Sequence, residues 1–207
     1  MYSKIKKGDI RSMRKVLQLL SVVVVGIAVA LMLISPELVL IFGSPKYREA
    51  VYVIPPVAAS VFFIFIYNIL SMPQFYYEKT QFLMAASMAA AGANVVLNFI
   101  FIRLFGYIAA GYTTLACYML YSVGHYIVSK RILVNEGIQE NLMSPGFLVA
   151  CSVFLIGASI ICNLIFPYRI LRYAILLASA GLVFWKKELL LKTMADIRKK
   201  IKKWGRI

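Results

Sequence analysis

LQLLSVVVVGIAVALMLISPELVLIF, from Leu17 to Phe42, carries a single charged residue, Glu37. An α-helix needs ~20 residues to cross a hydrocarbon core of about 30 Å. This stretch exceeds that length and reads as a membrane span.

Working outward, five more apolar stretches follow: Val51 to Met72, Phe82 to Phe105, Ile108 to Val128, Phe147 to Phe166 and Tyr173 to Trp185. The last is short, and reaches spanning length by continuing into Leu189, Leu190 and Leu191 while Lys186 and Lys187 snorkel to the interface. Hydrophobic residues make up 62% of 207, more than a single water-soluble core requires. A membrane β-barrel would show short alternating segments instead. Backbone satisfaction in lipid then leaves helices. The expected fold is an all-α integral membrane protein of six transmembrane helices in antiparallel hairpins.

The net charge of +15 matters through its placement. With six spans both termini share a side. That side carries Lys4, Lys6, Lys7, Arg11, Arg14 and Lys15, then Lys79, Lys130 and Arg131, and every Lys or Arg from Lys186 onward. The other side has Lys46, Arg48, Arg103, Arg169 and Arg172. The positive-inside rule puts both termini in the cytoplasm, and the chain is expected in the cytoplasmic (inner) membrane as a multi-pass protein. The basic groups bracket apolar helices rather than lying on one folded surface among aromatics, which argues against nucleic acid and for a bilayer with anionic lipids. No secretory signal is read, because the first apolar run is too long for an h-region and lacks a small-residue cleavage pattern.

Met1 to Lys15 reads as a basic amphipathic helix on the cytoplasmic face, with Ile5, Met13 and Val16 dipping into the headgroups. Its counterpart is a basic amphipathic C-terminal helix in which Leu190, Met194, Ile197, Ile201 and Trp204 recur at helical spacing among lysines. Between them, Gly43 to Arg48 forms a turn, and Pro36, Pro55 and Pro56 remove helical hydrogen bonds and bend the first two spans. Pro73 to Thr80 ends the second span. Span three, with Ala85, Ala86, Ser87, Ala89 to Ala91, Gly92 and Ala93, is expected to be a central packing element. Gly106 is expected to stop it in the left-handed conformation. The hydrophilic break from Lys130 to Ser144 divides the single membrane domain, 1–207, into a four-helix unit, 1–131, and two further spans with the tail, 145–207. Ser144 and Pro145 suit the N-cap and first turn of span five.

Chemistry-bearing groups are sparse. The acids lie at span ends or in breaks, and there is no Gly-rich phosphate loop, nucleophile elbow or His/Cys metal cluster. No enzyme, cofactor or metal is expected. Cys117, Cys151 and Cys162 fall inside apolar spans and read as small packing residues. At membrane depth, Asn68 lies near the end of span two, and Asn94 and Asn98 share a face of span three. Thr114, Tyr118, Tyr121, Ser122 and His125 form a stripe on span four. Such a wall suits a sugar-bearing or amphiphilic ligand, while the same groups would also serve as interhelical hydrogen bonds. His125 reads either as an interfacial histidine or as a proton-coupling site, and Arg103 as a snorkelling cation or an anchor for a diphosphate.

The order of elements resembles the later half of bacterial polysaccharide flippases. The resemblance lies in the basic lead Tyr2 to Lys15, Glu37-Leu-Val-Leu-Ile-Phe-Gly43, Tyr47-Arg-Glu-Ala50 and Lys79-Thr80. It continues in Ala93-Asn94-Val-Val-Leu-Asn98, Arg103-Leu-Phe-Gly106 and Ala109-Ala110-Gly111-Tyr-Thr-Thr114. These flippases form the polysaccharide transport (oligosaccharide flippase) branch of the multidrug/oligosaccharidyl-lipid/polysaccharide exporter superfamily. The likeness covers Tyr2 to Arg131 and reaches the last two spans by position only.

The resemblance implies a transporter that flips isoprenoid diphosphate-linked oligosaccharide across the membrane for O-antigen (lipopolysaccharide), capsule or exopolysaccharide biosynthesis. It implies two lobes around a basic cavity, with this chain supplying only the C-terminal part. The partners would be the lipid-linked oligosaccharide and either an N-terminal half or a second copy. The implied substrate-binding set is Asn68, Asn94, Asn98, Arg103, Tyr118, Tyr121 and His125. The alternative is a non-transporting membrane scaffold for polysaccharide biosynthesis enzymes. A multidrug exporter would want an acid at membrane depth, and the sequence offers none.

Overall fold

The computed structural model describes residues 10–185. Six α-helices follow in order: α1 (Ile10–Phe42), α2 (Ile54–Tyr76), α3 (Gln81–Phe105), α4 (Ala109–Asn135), α5 (Pro145–Ile165) and α6 (Arg169–Trp185). A 3₁₀ segment, Pro45–Tyr52, joins α1 to α2, and no strand occurs among the described residues. The expected C-terminal amphipathic helix, the extension of span six and Ile5 lie outside the described residues.

Among the described residues, four helices are long and apolar enough to cross a membrane: α1, from Met13, with α2, α3 and α5. The described residues are thus all-helical, with apolar helices of membrane-spanning length. α4 is long enough at 27 residues, but its tyrosines, threonines, serines and histidine dilute its hydropathy. α6 is described over 17 residues. The outer surface is apolar, with Ile41, Met88, Val95, Val153 and Leu164 all more than half exposed. Water would penalise such a surface, whereas lipid tails accept it.

α2 is the central helix. It buries Ala58, Ala59, Phe62, Phe63, Ile66, Ile69 and Leu70 against α4, α1 and α5. Gly111 on α4 permits the closest approach, since a Cβ there would stand 2.8 Å from Pro56 Cγ and 2.9 Å from the Val53 carbonyl oxygen. The Ser122 hydroxyl, 2.9 Å from the Phe63 carbonyl, ties the same two helices lower down.

Several local readings change. Of the lead, residues 10–15 belong to α1, and residues 1–9 lie outside the described residues. Met13 and Val16 are buried in the bundle, and Arg11 and Arg14 reach the α4–α5 loop at Glu140 and the Asn141 carbonyl. That loop is no free linker, because Leu142 and Met143 are buried in the core and α5 packs on α1 and α2. Pro55 and Pro56 open α2, where their missing N–H groups cost nothing. Pro73 lies inside α2, which runs on to Tyr76.

Within α1, Pro36 cannot donate to the Met32 carbonyl, and the Ser35 hydroxyl donates to that oxygen instead at 2.8 Å. Ser144 precedes Pro145 in extended conformation without a side-chain capping bond. Gly106 has the expected positive φ of 77°, but its ψ of −178° lies outside the left-handed helical well, in a region essentially confined to glycine.

α3 overturns the expectation of a central packing helix. It has no buried residue and packs chiefly on α4. Its alanines permit close approach, and in this fold most of them face outward.

Candidate functional site

The α3–α4 pair encloses, with Tyr67 of α2, a groove of about 460 Å³. Its polar lining comes from Tyr67, Ser87, Asn94, Thr114, Tyr118 and Tyr121. Helical spacing on α4 puts Thr114, Tyr118 and Tyr121 on one side, and α3 brings Ser87 and Asn94 opposite, seven residues apart. Tyr67 and Tyr118 lie nearly parallel, at 7° with centroids 6.4 Å apart, and Tyr67 leans on Tyr121 at 4.7 Å. The groove thus offers aromatic rings, a carboxamide and hydroxyls within an otherwise apolar bundle.

The Asn94–Asn98 pair is held internally. Asn98 Nδ2 donates to Asn94 Oδ1 at 2.9 Å, and the Thr113 hydroxyl donates to Asn98 Oδ1 across the α3–α4 contact. Asn94 therefore lines the groove, while Asn98 fastens the two helices just beyond it. Ser122 divides from the stripe as well, being engaged by the Phe63 and Tyr118 carbonyls.

His125 is fully buried rather than interfacial. The Tyr121 ring meets it edge-on at 4.5 Å, Phe82 of α3 does so at 5.4 Å, and Tyr67 lies at 5.8 Å. Gln74 Nε2 stands 2.7 Å from His125 Nδ1, and Gln74 is itself fully buried. With the amide nitrogen donating, Nδ1 accepts and the ring proton sits on Nε2. Gln74 Oε1 and His125 Nε2 have no partner among the described residues.

Two expected site residues stand apart. Asn68 is exposed, with its amide donating to the Ile64 carbonyl at 2.7 Å. Arg103 is exposed near the end of α3, its guanidinium 3.9 Å above the Phe99 ring. Neither lines the groove.

Tyr67 and Gln74 were not singled out by the sequence, and Ser87 read there only as a small packing residue of span three. Tyr67 and Gln74 are seven apart and share a face of α2, a signal hidden by taking Pro73 as the end of the span.

At the opposite end of the bundle, an ion pair joins α1 to α6. Arg172, with its side chain 4% exposed, bonds Glu37 Oε1, to which the Tyr173 hydroxyl also donates at 2.8 Å. The partners are 135 residues apart.

Comparison with protein-family models, with characterised proteins and with solved structures finds no significant match.

Proposed function

We propose that this chain is part or subunit of a flippase for isoprenoid diphosphate-linked oligosaccharide. In that reading it is a six-span protein of the cytoplasmic membrane with both termini in the cytoplasm. The supporting observation is the tyrosine- and asparagine-lined groove between α2, α3 and α4. Sugar rings stack on aromatic faces, and their hydroxyls exchange hydrogen bonds with carboxamide and phenol groups. These are the groups a helix bundle would otherwise exclude from membrane depth. The groove is open, so it supplies one wall of a path that a second lobe or copy would complete. The distribution of basic residues carries the topology.

The test is photo-crosslinking in native membranes with an isoprenoid diphosphate-linked oligosaccharide bearing a photoreactive sugar. Labelling should map to the Asn94, Tyr118 and Tyr121 walls and fall several-fold in Tyr121→Ala. Labelling confined to the outer face of α5, or none together with stable co-purification of a glycosyltransferase, would favour the scaffold and sink the transport reading.

A further inference from the structure

A second pocket, of about 300 Å³, lies where α1 and α5 end, between the 3₁₀ segment and the start of α6. It owes nothing to the transport groove. Arg48 of the 3₁₀ segment, Arg169 at the start of α6 and Arg172 one turn later all line it, together with Glu37. Three guanidinium groups face one carboxylate. Glu37 Oε1 is engaged by Arg172 and Tyr173 while its Oε2 has no partner among the described residues, and no carboxylate among them pairs with Arg48 or Arg169. Glu49, the other acid at this end, accepts from the Tyr107 hydroxyl at 3.0 Å.

Arg172 is nine-tenths buried and lines this pocket, and its Nε has no acceptor among the described residues. A cation concentrated this way, partly out of water, calls for an anion. Guanidinium forks match phosphate oxygens in particular. The wall on the α1 side is Val39 and Leu40, and Leu40 is 62% exposed, so the pocket is basic within and apolar at its rim.

We propose that this pocket binds a phosphate-bearing anion, held by Arg48 and Arg169 and backed by the Glu37–Arg172 pair. The apolar rim suits the phosphodiester headgroup of a membrane lipid, and a free phosphate would use the same arginines. The site is independent of the flippase reading, and its test touches no groove residue.

The experiment uses the full chain in detergent. Native mass spectrometry counts retained phosphatidylglycerol against phosphatidylcholine, and a parallel titration uses inorganic phosphate. One phosphatidylglycerol should be retained with at least ten-fold preference. Arg48→Gln with Arg169→Gln should cut this at least five-fold, while Lys130→Gln with Arg131→Gln, at the opposite end of α4, should leave it unchanged. The buried pair stays intact in both variants, and thermal melting verifies the fold.

Competition by millimolar phosphate would assign the site to the free ion, and its absence to the lipid headgroup. The proposal is overturned by equal retention of both lipids with no phosphate binding. An equal loss in the Lys130/Arg131 variant would overturn it too, since it would show diffuse attraction.

Discussion

Substituting Glu37→Gln removes one charge from the α1–α6 pair with almost no change in volume, and leaves the Arg172 guanidinium buried without its counter-ion. Breaking a buried pair from one side costs about 3–5 kcal/mol. The Glu37 side chain is 30% exposed, so water screens part of the loss. About 2–3 kcal/mol is then expected. In a chain of this size that lowers Tm by about 4–12 °C. Arg172→Gln should cost less, because the carboxylate it strands can hydrate. The double variant, with two neutral carboxamides able to bond each other, should recover at least half of the summed losses.

The assay is thermal unfolding in detergent followed by a thiol-reactive dye in a Cys151→Ala background. Cys117 and Cys162 are buried and free, so they react only as the bundle opens. If the two single losses simply add in the double variant to within about 0.5 kcal/mol, the pair carries no interaction and the reasoning fails.

Gly111→Ala should destabilise by about 1–3 kcal/mol by forcing α2 from α4, whereas Gly92→Ala, which meets nothing within 4 Å, should leave the same melting curve unmoved. Glu78, at φ 55° after the end of α2, sits where Lys79 N–H closes on the Gln74 carbonyl. Glu78→Gly should therefore raise stability by about 0.5–1 kcal/mol in chemical or thermal unfolding. Ser35→Ala should cost about 1 kcal/mol in the native chain and almost nothing beside Pro36→Ala, where the backbone N–H again reaches Met32; equal costs in both backgrounds would refute the repair. Asn94→Ala should reduce sugar-probe crosslinking with a stability loss below about 1 kcal/mol in thermal unfolding, because it is half-buried rather than core.

Apolar run length located every helix in the described residues, since each segment was bounded by prolines, glycines or charges at its ends. What run length does not register is helix continuing beyond lipid. α1 includes Arg11 and Arg14, which find partners in the α4–α5 loop, and α4 runs through Lys130 and Arg131 to Asn135. Small-residue content misled at α3: it records how closely a helix could pack, not whether a neighbour is there. The stripe on α4 was legible through its spacing. Its division into groove lining (Thr114, Tyr118, Tyr121) and interior contacts (Ser122, His125) depended on where α2 lies, which no local pattern encodes. Gln74 with His125, 51 residues apart, and Glu37 with Arg172 are products of the tertiary fold alone.

α3 is fastened to the bundle at two places on either side of the groove. Among the described residues, the side-chain hydrogen bond between α3 and α4 is the one from Thr113 to Asn98. Some four turns away, Phe82 rests edge-on against His125. Between these points the contact is made largely by alanines, which interlock weakly. Mechanically α3 is a beam on two supports, and an occupant wedged against Ala90, Ala91 and Asn94 must bow it or lift one end. The weaker support is the ring contact, so strain from a filled groove would be released at the histidine.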